Sequence, residues 1–88
     1  MLRIPENLIT QKMGEKEYVL VLLPKGTYYL VKGTGADIWD LFSQGIDKSS
    51  IIQNLLDNYD IDREHATSSV TKFFETLQLE GLIINDEN

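Results

Sequence analysis

Apolar and polar positions in the first third of the chain follow the pattern of short β-strands. Residues 8–13 alternate loosely between the two classes, and residues 18–23 are apolar on both parities, which is typical of a strand at the centre of a sheet. Pro24 and Gly26 then predict a tight turn, because proline fixes φ and glycine accepts a left-handed conformation. Residues 27–31 continue as a third strand. We therefore predict an antiparallel three-stranded meander whose strands lie in chain order.

The remaining two-thirds of the chain has apolar residues at helical spacing in three segments. Thr34 is predicted to cap a helix that runs through Ser43, and Gly45 suits the left-handed residue past its end. Asp47 and Asp62 are predicted to cap a second and a third helix. A meander followed by three helices indicates an α+β fold, and the last two helices resemble the helix-turn-helix pair of a winged helix.

The third predicted helix has two candidate apolar faces. On a helical wheel its core stripe consists of Ala66, Val70, Phe73 and Leu77. A second, uncharged stripe lies roughly 80° away and is expected to line a groove. This stripe consists of Thr67, Thr71, Phe74 and Gln78. Two other interpretations stay open: Phe74 only widens the core face, or the groove lies on the opposite flank, formed by Ser69, Lys72, Thr76 and Leu79.

Length and charge limit the classes of function. Eighty-eight residues suffice for one domain, so we expect residues 1–88 to fold as a single unit whose polar tail, residues 85–88, frays. The net charge of −6 opposes contact with nucleic acid and with anionic membranes. No apolar run is long enough to span a membrane or to act as a signal peptide, which predicts a cytoplasmic protein.

The sequence offers little for catalysis or for cofactor chemistry. It has no cysteine and a single histidine, His65, so we expect neither a disulfide nor a structural metal site. Neither a nucleophile with its base nor a paired carboxylate in an apolar pocket can be assembled from the predicted elements. We therefore expect no catalytic residue, no metal and no cofactor.

The third predicted strand carries no charge at a position where the pattern predicts a sheet edge. Natural edge strands are usually protected by lysine, proline, a bulge or extreme shortness, since their open backbone groups recruit other chains. The strand consists of Thr27, Tyr28, Tyr29, Leu30 and Val31. Its edge is either covered, by the chain's own termini or in a homodimer, or available to a peptide that adds as a further strand.

Three segments, in this order, carry a resemblance to a known family: VLLPKGTYYLVKGTGADIWDLFSQG, SIIQNLLDNYDID and SSVTKFFETLQLEGLI. The tight hairpin, the YYL before a G-T-G-A-x-I-W helix start and the terminal L-x-x-x-G-L-I resemble the PqqD-like family from residue 18 to residue 84. The chain departs from the similar stand-alone subunits of lasso-peptide clusters at Val31 and Lys32, where those subunits usually have leucine and asparagine.

The resemblance implies a function for the uncharged edge. In this family the leader segment of a ribosomally made precursor peptide adds to the third strand and lies in the groove between that strand and the third helix. The resemblance thus implies a non-catalytic binding module that presents a precursor to a modifying enzyme or leader peptidase. Its peptide-binding residues would be 27–31 and the stripe of Thr67, Thr71, Phe74 and Gln78. The alternative interpretation is a winged-helix domain for protein–protein interaction or a transcription-associated role, without direct DNA contact.

Overall fold

The computed structural model describes residues 2–85 of the chain. Its elements follow one another in the order β1 (Leu2–Arg3), β2 (Leu8–Gly14), β3 (Glu17–Leu22), β4 (Thr27–Lys32), α1 (Thr34–Ser43), α2 (Lys48–Asn58), α3 (Arg63–Leu79) and β5 (Ile84–Asn85). Strands β2, β3 and β4 form an antiparallel sheet in that order, and β1 pairs with β5 in a separate ribbon. The predicted α+β fold, a three-stranded meander followed by three helices, is confirmed.

One face of the three-stranded sheet packs on the helices, and the hydrophobic core lies between the two layers. Side chains alternate between the sheet faces, so Leu20 and Val31 are buried on the inner face together with Trp39 of α1 and Leu55 of α2. The other face of the sheet is called the outer face below. It is formed by Ile9, Gln11, Val19, Val21, Tyr28 and Leu30, with Glu17 and Lys32 at one end.

Helix α1 begins differently from the prediction. Gly33, not Thr34, occupies the capping position, and no side chain within residues 2–85 caps this helix. Gly33 has φ +59°, a conformation that glycine adopts without steric cost. Its carbonyl oxygen accepts hydrogen bonds from the N–H groups of Ala36 and Asp37 at 3.0 and 3.2 Å. The predicted cap at Thr34 is therefore wrong, because the glycine turns the chain into the helix one residue earlier.

The predicted caps of the second and third helices are confirmed. The Asp47 carboxylate accepts a hydrogen bond from the Ser50 N–H at 3.2 Å, and the Asp62 carboxylate accepts one from the His65 N–H at 2.8 Å. The hydrogen bonds with Ser50 hold the pKa of Asp47 below its usual value. Gly45, with φ +87°, follows the end of α1 as predicted.

The core stripe of α3 differs from the prediction at one position. Its buried members are Ala66, Val70, Phe74 and Leu77. Phe73 is only half-buried. Consecutive residues lie about 100° apart around a helix, and the ring of Phe74 faces α1, with its centroid 5.1 Å from that of Phe42. The assignment of Phe73 rather than Phe74 to the core stripe is therefore wrong.

The two ends of the described chain meet in the ribbon of β1 and β5. Leu2 pairs with Asn85, and Arg3 pairs with Ile84. The tail predicted to fray begins at Asn85, which lies in this ribbon, and the other residues of that tail, 86–88, lie outside the described residues. Within residues 2–85, no helix combines the length and the apolarity that crossing a membrane requires.

Candidate functional site

Strand β4 is an edge of the three-stranded sheet, as predicted. Its first five residues are uncharged, and the strand ends at Lys32, whose ammonium lies 3.9 Å from the Glu17 carboxylate of β3. Strands β1 and β5 pair with each other and belong to a different sheet. In the part of the chain that the structure describes, the terminal strands therefore do not cover the edge of β4.

The backbone hydrogen bonds of β4 can be assigned residue by residue. The Gly33 N–H donates to the Lys16 carbonyl oxygen at 3.0 Å, one step beyond the last residue pair of the β3–β4 register. On the other side of β3, the Leu23 N–H donates to the Asn7 carbonyl oxygen at 3.0 Å. Bonded and non-bonded pairs alternate along an antiparallel ladder, and both bonds give the same alternation. The backbone groups that point to β3 are those of Thr27, Tyr29 and Val31. Those that point away from the sheet are those of Tyr28 and Leu30.

The side chains of β4 alternate between the two sheet faces in step with the backbone. Tyr29 is half-buried and Val31 is 2% exposed on the inner face, whereas Tyr28 and Leu30 are 74% and 46% exposed on the outer face. Tyr28 and Leu30 thus combine open backbone groups along the edge with apolar side chains on the outer face.

Phe73 is a side chain of α3 that approaches the inner face of β4. A Cβ atom placed on Gly35 would lie 3.1 Å from Cε1 of Phe73 and 3.3 Å from Cγ1 of Val31. The three residues therefore converge where α1, α3 and β4 come together, and a side chain at Gly35 would require Phe73 and Val31 to shift by a few tenths of an ångström. Sequence reasoning missed Gly35 in this role, although a glycine inside a predicted helix is a signal for close packing.

A cavity of about 200 Å³ opens beside this convergence. It is lined by Thr34, Gly35, Ile38, Tyr59, Ile61, His65, Ser69 and Phe73. Because Gly35 and Phe73 line the cavity and lie near Val31, the cavity is located next to the C-terminal end of β4, where the chain continues into α1. Its wall combines apolar groups with hydroxyl groups, a lining that suits an uncharged side chain.

The helix flank predicted to line a groove lies on the other side of α3. Phe74 is 5% exposed and lines a different cavity, of about 400 Å³, beside Phe42 and the N-terminal segment. On the helical wheel Ser69 and Thr76 flank Phe73 instead, on the side toward β4. The residues that share the side of Phe74 are Thr67, Thr71 and Gln78. The structure therefore places Phe73, and not the predicted stripe, near the Val31 end of the strand.

A hydrogen-bonded cluster fixes the cavity wall at Tyr59. The Lys16 ammonium donates to the Tyr59 hydroxyl oxygen at 2.7 Å and to the Asp37 carboxylate at 2.9 Å, and the Tyr59 hydroxyl donates to Asp37. The hydrogen bond with Tyr59 is the largest cause of a raised pKa of Lys16, and the hydrogen bond with Asp37 is the second largest. These contacts join the β2–β3 turn, α1 and the end of α2, and so hold the Tyr59 ring against the cavity.

The chemistry of the site is that of binding. It offers open backbone groups at Tyr28 and Leu30, an apolar inner surface around Phe73, and a cavity with hydroxyl groups. Among residues 2–85 there is no group of three or more histidine, cysteine, aspartate or glutamate side chains that could hold a metal ion. The arrangement can therefore pair with an extended backbone and accept uncharged side chains beside it.

Comparison with known proteins gives relatives in sequence and in fold. The family model described as coenzyme PQQ synthesis protein D (PqqD) matches residues 17–83. The structure of TbiB1 in complex with the TbiA(beta) leader peptide has a TM-score of 0.89 at 23% identity, over 98% of this chain and 99% of that chain. A lasso peptide synthetase B1 complexed with the leader peptide has a TM-score of 0.86 at 19% identity, over 96% of this chain and 98% of that chain. No curated protein matches the chain significantly. The two structures show that the fold is shared along nearly the whole chain.

Proposed function

This chain belongs to the PqqD family, and from that premise we propose that it is a non-catalytic module that captures the leader segment of a ribosomally synthesised precursor peptide by strand addition. The observation that carries the proposal is the edge of β4, where Tyr28 and Leu30 direct open N–H and C=O groups away from an uncharged strand. Two solved structures with the same fold are complexes with leader peptides, which supports a peptide as the ligand.

A peptide on this edge would present its side chains alternately to the two sheet faces. Residues opposite Tyr29 and Val31 would lie on the inner face, toward Phe73 and the cavity beside it. We therefore propose an extended leader with uncharged, mainly apolar side chains at alternate positions. Its binding residues are those of the strand, 27–31, together with Phe73, and they replace the stripe of Thr67, Thr71, Phe74 and Gln78.

The proposed role gives the chain two partners, the precursor peptide and the modifying enzyme or leader peptidase that acts on it. A lasso peptide synthetase component with the same fold favours a lasso-peptide pathway. We further propose that residues 1–88 act as one recognition domain, and that they do so in the cytoplasm, where a ribosomal precursor is made.

Titration calorimetry of the purified chain with synthetic peptides tests the proposal. The peptides cover the short reading frames encoded beside the gene, each divided into an N-terminal and a C-terminal half. We expect one N-terminal half to bind at one-to-one stoichiometry with micromolar or tighter affinity. We also expect it to slow hydrogen exchange at the Tyr28 and Leu30 amides, because an added strand uses those donors. Failure of every peptide to bind, or binding that leaves both amides exchanging at their original rates, would contradict strand addition.

A further inference from the structure

The outer face of the sheet is apolar from one strand to the next. Two of its cross-strand rows are Ile9–Val21–Tyr28 and Gln11–Val19–Leu30. Ile9 is 49% exposed, and Tyr28 and Leu30 are also among the exposed large apolar side chains of the described residues. Single exposed apolar side chains are ordinary, but a contiguous group on one flat surface is typical of an interface.

The outer face carries no net charge, in a chain whose net charge is −6. Its charged side chains on β3 and β4 are Glu17 and Lys32, which lie opposite each other and form an ion pair at 3.9 Å. Copies of an acidic chain repel each other at long range, and a surface whose carboxylate is paired with an ammonium is where they can meet at a low electrostatic cost. The outer face therefore suits a partner whose own contact surface is mainly apolar and carries no net charge.

We propose that this partner is a second copy of the chain, with the two outer faces packed against each other about a twofold axis. A large side chain offers at most roughly 200 Å², so the partly exposed residues of the outer face present on the order of 500 Å² per copy. Two copies together bury about 1,000 Å², which is near the lower limit for a specific interface. The dimer is therefore weak and reversible, and it forms as the protein concentration rises.

This dimer leaves both β4 edges open. Sheets packed face to face are about 10 Å apart and meet through their side chains, whereas the open backbone groups of Tyr28 and Leu30 lie in the plane of the sheet. The proposal is therefore independent of strand addition. It also differs from a homodimer formed through paired β4 strands, which would occupy the edge.

Sedimentation velocity from low- to high-micromolar protein tests the proposal with two variants of neighbouring residues. Ile9→Glu places a carboxylate on the outer face. Thr10→Glu, the next residue of β2 and also exposed, places the same charge on the opposite face of the same strand. We expect the wild-type chain and Thr10→Glu to dimerise with similar dissociation constants, and Ile9→Glu to raise the dissociation constant at least tenfold.

Two further measurements keep the outcome decisive. Circular dichroism establishes that each variant is folded, and Gln11→Glu, on the same face, replaces Ile9→Glu if the latter is not. Methyl NMR of the wild-type chain should show concentration-dependent shifts at Ile9, Val21 and Leu30. A wild-type chain that stays monomeric throughout would overturn the proposal, and so would a dimer that the Ile9 and Thr10 variants weaken equally or not at all.

Discussion

Tyr28 and Tyr29 are adjacent and chemically identical, yet their backbone groups have different surroundings. At the scale of single residues this difference separates the stability of the sheet from its capacity to accept a further strand. The N–H of Tyr29 points to β3, and the N–H of Tyr28 points outward along the free edge. Proline removes an N–H donor, so its effect at the two positions reports on two separate properties.

We expect Tyr29→Pro to lower the free energy of unfolding by about 2 kcal/mol or more, because it removes a ladder hydrogen bond and leaves a carbonyl oxygen of β3 unsatisfied. Tyr28→Pro should keep a melting temperature within a few degrees of wild type and lose peptide binding. Melting curves followed by circular dichroism and peptide titrations measure the two effects. Tyr28→Ala and Tyr29→Ala control for loss of the rings. A folded Tyr28→Pro variant with wild-type peptide affinity would rule out strand addition at this edge.

At the scale of elements, α3 separates two apolar surfaces with different roles. Phe73 meets Gly35 and Val31 at the end of β4, while Phe74 packs on Phe42 of α1. The neighbouring phenylalanines thus belong to the proposed peptide site and to the core, respectively. Truncation of each ring should therefore change a different measured quantity.

We expect Phe74→Ala to lower the free energy of unfolding by about 3–5 kcal/mol, the usual cost of removing a buried phenylalanine ring. Phe73→Ala should raise the peptide dissociation constant about tenfold or more, with a smaller loss of stability because the ring is only half-buried. Calorimetry on the folded fraction, paired with a melting curve, measures both. Thr71→Ala, on the Phe74 side of α3, serves as the matched control and should leave peptide affinity unchanged. If peptide affinity depended on Thr71 and not on Phe73, the peptide groove would lie on the Phe74 side of α3.

The elements themselves could be predicted from sequence because their signals are local. Alternation predicts the strands, and Asp47 and Asp62 mark helix starts through hydrogen bonds to residues only three positions away. The prediction of a cap at Thr34 was wrong, and the reason is also local. Gly33 adopts a backbone conformation that side-chain preferences for capping do not take into account.

The candidate site depends on placement that no local pattern contains. A wheel of α3 shows that Phe73 and Phe74 lie on adjoining sides, but the rotation of the helix is set by how Gly35 and Phe42 pack from α1. The outward direction of the Tyr28 backbone follows from a bond between Gly33 and Lys16, which are distant in sequence. The uncharged edge strand could therefore be predicted from the sequence, whereas the helix flank beside it and the ladder parity could not.

At the scale of the whole molecule, the net charge of −6 weighs against direct contact between this winged-helix-like fold and DNA. A protein must bring cationic side chains to the phosphate backbone, and α3 together with its C-cap Glu80 carries Arg63 and Lys72 against three glutamates. We expect no saturable binding of a fluorescently labelled DNA duplex at low salt, measured by anisotropy at protein concentrations that saturate the peptide. Sub-micromolar binding that weakens steeply with added salt would contradict this prediction and indicate a winged helix that contacts DNA.

The ribbon of β1 and β5 holds the two ends of the described chain next to each other. Leu2 and Asn85 are partners in an antiparallel pair, in which Cα atoms lie about 4.5–5.5 Å apart. That distance is little more than the 3.8 Å between consecutive residues of any chain. A surface loop of an unrelated enzyme could thus be cut and rejoined through residues 2 and 85 with almost no displacement of its ends. The domain could therefore be inserted into a loop of another enzyme. That enzyme would acquire the open edge of β4, and its own fold would not have to change.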